Sequence, residues 1–272
     1  MKIVCVGDCG IDHYLPSNDK LFGGISANFA RHAQRHFPQR DVVHLISAVG
    51  NDEHAAIVLS RLESSGIEQH IARLEGDTPV QFIEVQPDGE RKFVRYDEGI
   101  LREFALQPVN IALIAASDLL VAPVYLQIVG LFDQLMSIQT MGKVSIDFAD
   151  FLQLPDFGLL EKHVADIDIG FFGLSTSDRE IIDALQILAK EHDKLFVITL
   201  GANGSILLRN GEPIECAAIA VDEVVDTTGA GDAFAAGFLS HYCHGGSLDD
   251  SLAKGARVAA GVVQHFGGIS AY

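Results

Sequence analysis

The chain has 272 residues, 48% hydrophobic and 21% charged, enough apolar content to bury a sizeable core as one large domain or one domain with a small appendage, which argues against disorder. A formal net charge of -18 argues against nucleic acid or an anionic membrane surface as the main partner, since both need clustered Lys and Arg. Any phosphate ligand must then be held by local dipoles and metal ions. The cysteines Cys5, Cys9, Cys216 and Cys243 form no CxxC pair, which fits a reducing compartment, and the apolar run after Lys2 is too short for a signal-peptide core. The greasiest stretch, residues 110–123, is interrupted by Ser117 and Asp118 and falls short of the roughly 20 residues of a membrane span. A cytoplasmic protein is expected.

The elements alternate. KIVCVG reads as an apolar strand ending at Gly7, residues 26–37 as a helix through Ala30, Ala33 and Phe37, residues 41–50 as a strand, and residues 51–66 as a helix stopped by Gly66. Residues 78–96 alternate with period two on both sides of Pro-Asp-Gly-Glu, which predicts a hairpin with no helix after it. It is expected to form a small lid sheet with a further strand from residues 11–22, an edge hairpin of the main sheet being the alternative. Beyond residue 100 come strands at 118–123, 143–148, 166–174 and 195–200 and helices at 124–138 and 177–192. A second hairpin over 204–216, turning at Asn210-Gly211, should edge the sheet, and residues 219–225 (IAVDEVV) read as a short strand. The whole predicts an α/β protein with a mostly parallel central sheet covered by helices on both faces, one domain over 1–272 with a lid from about 11–22 and 78–96.

The stretch DTTGAGDAFAAGF (226–238) places a side-chain-poor turn before a helix whose apolar face is Phe234, Ala235, Phe238, Leu239 and Tyr242. Helix-initial N–H groups have no internal partner and carry the positive end of the dipole, so Gly229, Ala230 and Gly231 can receive an anion. Asp232 stands beside it, and the same dipole should lower its pKa and keep it ionised as a base. In an open α/β sheet ligands bind beyond the carboxyl ends of the strands. There GDCGID places Asp8 and Asp12 in a turn, and GGISAN places Gly23 and Gly24 before a helix carrying Asn28. Asp12 and Asn28 suit a hydroxyl-rich substrate, although a turn-former and a helix cap explain them equally well.

Together, DTTGAGDAFAAGF and GGISAN resemble the two signature motifs of the PfkB (ribokinase-like) carbohydrate kinases, and VITLGANG (197–204) is similar to that family's nucleotide-side strand and loop. The resemblance covers nearly the whole chain and implies a three-layer ribokinase-like fold with a sugar-covering lid. It implies ATP-dependent phosphoryl transfer to a hydroxyl, with Mg²⁺ bridging the nucleotide phosphates. By the same resemblance Asp232 is the catalytic base, and the amides of Gly229, Ala230 and Gly231 are the anion hole. Asp12, Gly23, Gly24 and Asn28 then bind sugar; Thr199, Gly201 and Gly204 bind ATP. Asp226 and Thr228 match positions at the monovalent-cation site of members activated by K⁺, and a homodimer through the lid is implied as well.

Two departures stand out. The family's Asn-x-x-Glu motif, which helps organise Mg²⁺, is missing; Ser175 to Asp178 or Ser177 to Glu180 could stand in, the latter pair also reading as a capping box. Gly10 and Ile25 fall where ribokinases carry sugar-contacting Asn and a Lys, which argues against ribose. Residues 95–107 and 145–153 resemble those of fructoselysine 6-kinases, and on that likeness Glu84, Arg95, Tyr96 and Glu98 are candidate substrate contacts. The competing readings are a nucleoside kinase of the same family, a non-catalytic sugar or nucleotide binder, and a dinucleotide oxidoreductase, the last weakened because GDCGID is not GxGxxG. The pairs His32/His36 and His241/His244 lack a third ligand with metal spacing and read as solvated helix faces.

Overall fold

A computed structural model describes residues 1–15, 17–149 and 157–269. In chain order the elements are β1 (Lys2–Val6), β2 (Gly10–Leu15), β3 (Asp19–Gly23), α1 (Ile25–His36), β4 (Val42–Val49), α2 (Glu53–Glu63) and β5 (Glu68–Arg73). Then follow β6 (Val80–Val85), β7 (Arg91–Asp97), α3 (Pro108–Ala115), β8 (Leu119–Pro123), α4 (Val129–Met136), β9 (Lys143–Asp147) and α5 (Gly158–His163). The last are β10 (Ile169–Gly173), α6 (Arg179–Glu191), β11 (Leu195–Thr199), β12 (Ser205–Leu208), β13 (Ile214–Cys216), α7 (Ala230–Tyr242) and α8 (Leu248–Val262).

Nine strands form one sheet in the order β13-β12-β11-β10-β9-β8-β1-β4-β5. Every pair from β11 to β5 is parallel, while β12 and β13 add an antiparallel edge. Parallel strands covered on both faces must be apolar on both faces, and the period-two alternation shows it. Ile3 and Cys5 of β1, Leu45 of β4 and Val121 of β8 enter a core under α1, α2, α7 and α8. Val4, Ile46 and Leu120 enter the opposite core under α3, α4, α5 and α6. Each fully buried Leu or Ile contributes about 1.5–3 kcal/mol. This is a three-layer α/β architecture, with the central sheet as the middle layer.

The lid residues form their own sheet, β3-β2-β6-β7. The turn between β6 and β7 is closed by Gln86 N–H donating to Glu90 O at 2.7 Å and Gly89 N–H donating to Gln86 O at 2.9 Å. Residues 11–22 supply two strands rather than one, reversing near Asn18, whose φ is 64°. Asp12 therefore lies on β2, not in a turn, opposite Leu21 and Gln81. At the sheet's base Asp52 caps α2 through Ala55 N–H and also accepts from both the N–H and the hydroxyl of Thr78.

Elsewhere the structure departs from the sequence expectations. Residues 219–225 form no strand: β13 closes the sheet, and the segment runs on over the mouth of the main cavity, Val225 N–H donating to Val263 O at 2.8 Å and Thr227 N–H to Gly89 O at 3.1 Å. The connection from β12 to β13 spans residues 209–213, longer than a two-residue turn. Asp178, not Ser177, precedes α6, and no side-chain cap forms there, so the Ser177 to Glu180 capping box is absent. His32 is buried at 1% exposure beneath the segment after α8, its Nε2 3.0 Å from Gly268 O, so that helix face is not solvated. β5, α3, α5 and α8 went unread in the sequence. No helix among the described residues is long and apolar enough to cross a membrane.

Candidate active site

A cavity of about 1350 Å³ opens where the carboxyl ends of β9, β10 and β11 meet the N-terminus of α7 and the inner face of the small sheet. One end of it is built from the first loop. Asp8, just after β1, accepts from Ile25 N–H at 3.0 Å and Ser26 N–H at 3.1 Å, so a carboxylate from another element caps α1 where Gly24 offers no side chain. The positive end of α1 is thereby occupied from within. Burial pushes the Asp8 carboxyl up, opposed by these amides and by the Tyr125 hydroxyl. Tyr125 lies 3.0 Å from the hydroxyl of Tyr96 on β7, so a chain of hydrogen bonds ties the small sheet to the base of α1.

One turn into α1, the Asn28 amide donates to Asp232 Oδ2 at 3.0 Å, which leaves Asn28 Oδ1 buried without a partner. Asp12 Oδ2 is likewise buried and unpartnered. Gly23, which pairs with Gly10 at the end of β3, is required by the close approach of Asp12, since a Cβ there would lie 2.2 Å from the carboxyl. Burial foremost, then the charges of Asp8 and Asp226, raise Asp12 to about 7, with Arg91 pulling it down. Buried polar atoms are nearly always paired, so two orphaned acceptors on residues lining one cavity suit a ligand that brings donors.

The anion end is α7. Gly229, the residue before it, holds φ at 75° and packs so closely on Gly268 that a Cβ would lie 2.5 Å from its carbonyl oxygen. Of the three amides expected to face an anion, that of Ala230 already donates to Thr227 O at 3.2 Å. Those of Gly229 and Gly231 have no carbonyl partner among the described residues, so the open set is two rather than three. Asp232 lines the cavity at 7% exposure. Its carboxyl is pushed well above the ordinary range, first by burial and then by Asp147, with the Asn28 amide and Arg91 opposing. The expectation that the helix dipole sets a low pKa is thus reversed, because desolvation of an enclosed carboxylate outweighs a dipole effect that is largest at exposed ends.

Toward the other end, Thr199, Gly201 and Gly204 line the cavity opposite an apolar wall including Ala220, Val221, Ala256 and Val263. Ser175 and Asp178 line it too, with Ser175 N–H donating to Asp178 Oδ2 at 2.7 Å; Ser177 and Glu180 do not. Arg95 and Tyr96 reach the cavity, Arg95 lying over the Phe82 ring and paired with Asp97 at 2.9 Å. Glu84 and Glu98 lie outside it, Glu98 being paired with Arg102. Asp226 lies behind the wall, with Thr228 at the cavity surface. Of residues 145–153, 150–153 lie outside the described residues.

Three residues escaped the sequence reading. Asp147 ends β9 at the cavity, close enough to raise Asp232, and the place at a strand's carboxyl end was the available signal. Tyr125 follows β8 in the same way. Arg91 donates its backbone N–H to Thr227 Oγ1 at 3.1 Å and its guanidinium to Thr227 O at 3.2 Å, pinning the lid turn to the loop before α7. No cluster of three metal-ligating side chains is found among the described residues, and all four cysteines are free thiols.

The pfkB family carbohydrate kinase profile matches residues 1–144 and 148–272. The fructoselysine 6-kinase of Escherichia coli K12 is 29% identical over 97% of this chain and 98% of its own length. The fructosamine kinase FrlD of Bacillus subtilis is 29% identical over 98% of this chain and 93% of its own length. Among solved structures, Arabidopsis thaliana ribokinase, complexed with ribose and ATP, superposes with a TM-score of 0.82 at 20% identity, covering 98% of this chain and 93% of that one. Sinorhizobium meliloti adenosine kinase gives 0.83 at 22% identity, covering 98% and 95%. With both signature motifs meeting in one cavity of a ribokinase-like fold, and the family profile spanning nearly every residue, this chain belongs to the PfkB family and is a carbohydrate kinase.

Proposed function

We propose that the protein transfers the γ-phosphoryl group of ATP to a hydroxyl of a small sugar conjugate, with fructoselysine or a related glycated amine as the first candidate. The observation that carries this reading is the pairing of orphaned buried acceptors, Asp12 Oδ2 and Asn28 Oδ1, with Asp232 beside the two open amides of α7. An acceptor-rich wall suits hydroxyls and protonated amines alike, and the likeness to fructosamine and fructoselysine kinases favours a ligand carrying both.

In this mechanism the Asn28 amide fixes one oxygen of Asp232 and leaves the other to accept the proton of the attacking hydroxyl. A carboxyl raised by burial is a stronger base once ionised, which suits that task. The proton leaves the hydroxyl oxygen as it bonds to the γ-phosphorus, and the bond to the β-γ bridging oxygen breaks. The amides of Gly229 and Gly231 stabilise the charge on the migrating phosphoryl, and fixed dipoles in a site closed to water are worth several kcal/mol. Thr199, Gly201 and Gly204 bound the adenine nucleotide's place. Asp147 and Asp178, both lining the cavity, would supply hard oxygen ligands of the kind that suits Mg²⁺, which when bound would neutralise charge on the nucleotide phosphates. The small sheet excludes water from the sugar, so that hydrolysis does not compete.

A coupled ADP-release screen across hexoses, pentoses, nucleosides and glycated amino acids tests the substrate. Fructosamines should give the highest kcat/KM; nucleosides in first place would transfer the assignment to a nucleoside kinase, and binding without turnover to a sensor. The proposal includes cytoplasmic residence and a homodimer through the small sheet, whose edge strand β7 has no strand beyond it among the described residues. Sedimentation velocity should give twice the 29.3 kDa chain mass, and a monomer at micromolar concentration removes the dimer.

A further inference from the structure

The family likeness directs attention to Asp226 and Thr228 as a place for K⁺, and the local geometry does not fit an alkali cation. Asp226 is fully buried and already accepts four hydrogen bonds. Thr228 donates to Oδ1 through its N–H at 2.9 Å and its hydroxyl at 2.7 Å; the Tyr14 hydroxyl and Gly267 N–H donate to Oδ2 at 2.8 Å and 2.9 Å. Four donors fill the lone-pair positions of a carboxylate. Neighbouring carbonyls are engaged as well: Val263 O accepts Val225 N–H at 2.8 Å and Asp226 N–H at 3.3 Å, and Gly268 O lies 3.0 Å from His32 Nε2, which must donate to it. A desolvated alkali ion needs a shell of oxygens in place of its water, and among the described residues both Asp226 oxygens and Val263 O already accept two donors each of the chain itself.

We infer that Tyr14 takes the part of the monovalent cation in this kinase. The inference rests on the kinase reading given above. Tyr14 projects from β2 of the small sheet, 2% exposed, with its ring 4.3 Å from that of Phe266. Burial, Asp12 and Asp226 all hold its hydroxyl protonated, so it remains a donor. Asp226 in turn anchors the turn through Thr228 that delivers Gly229 and Gly231 to the phosphoryl site. A positive hydrogen at the tip of a lid residue therefore balances the carboxylate that shapes the anion hole, and it does so while the small sheet lies against that turn. Tyr14 is a positioning residue that couples lid placement to phosphoryl-site geometry without an ion in between.

Two arms test this. First, thermal unfolding of the protein without substrate, in KCl and in tetramethylammonium chloride at equal ionic strength, should give the same midpoint, and turnover in the two salts should agree within about twofold. A higher midpoint in K⁺, or a tenfold loss of turnover without it, overturns the inference. The melting comparison stands even if no tested sugar is phosphorylated, so a wrong substrate class does not obscure it. Second, Tyr14→Phe keeps the ring packing and removes the donor. The kcat should fall about tenfold or more while KM for ATP stays within about threefold, because the loop geometry and not nucleotide binding is lost. An unchanged kcat in a folded Tyr14→Phe protein overturns the inference.

Discussion

Replacing Asp232 by Asn should lower kcat by about 10²- to 10⁴-fold, the range that positioned proton acceptors contribute, while KM for ATP changes little. The isosteric amide keeps the shape of the site and its contact with Asn28, so the loss isolates the proton acceptor. The same change should make the protein more stable. Burial and Asp147 raise the Asp232 carboxyl well above its ordinary range, so at neutral pH the fold bears the cost of enclosing it. For a carboxyl raised on folding, that cost is absent at pH values where both folded and unfolded chains are protonated, and it grows as pH rises above the unfolded pKa. Asp232→Asn should therefore melt higher than the parent at pH 8, with the gap closing toward pH 4. A variant that loses activity and stability together would point to a structural role, and a fully active variant would remove the base assignment.

Asp12→Asn should show a related signature on the sugar side. Asp12 rises from an ordinary 3.8 to about 7, a difference of about three units, with burial the leading cause. At about 1.4 kcal/mol per unit this is a destabilisation on the order of 4 kcal/mol above pH 7, absent below about pH 4. Stability of the parent should therefore decline between pH 4 and 7, and Asp12→Asn should flatten that part of the profile in urea unfolding. Because the orphaned Oδ2 is the acceptor offered to the substrate, the variant should also raise the sugar KM about tenfold or more, with kcat less affected. For the parent, sugar binding should weaken as pH falls through about 7 and the acceptor takes up a proton. A pH-independent sugar KM would contradict this assignment.

Both residues illustrate what one sequence can convey. The turn into α7 was readable because its geometry is local: Gly229 needs a positive φ, the next residues open α7, and Asp232 follows in the first turn. The alternating strands and the lid hairpin were readable from period two and a Pro-Asp-Gly turn. What the sequence concealed depends on placement across the fold. Tyr14 and Asp226 are 212 positions apart, and Tyr125 meets Tyr96 only because β8 ends beside β7. Residues 219–225 have strand composition but, among the described residues, no neighbouring strand beyond β13; Val225 N–H goes instead to Val263 O just after α8, and Thr227 N–H in the next turn to Gly89 O of the lid turn. Asp232 departs from the dipole expectation because that effect is largest at exposed helix ends, whereas this carboxylate is enclosed. α8 was overlooked although Ser247 caps it through Asp250 N–H, a signal present in the sequence.

The central claim is that this cavity moves a phosphoryl group onto a sugar-conjugate hydroxyl with Asp232 as proton acceptor. Incubating the protein and fructoselysine with ATP labelled in the γ-phosphate, and following the label by mass spectrometry and ³¹P NMR, tests it most directly. The account predicts a singly phosphorylated fructoselysine ester formed in step with ADP, with the rate collapsing in Asp232→Asn. Label appearing only as inorganic phosphate, or equal product from Asp232→Asn, would contradict it.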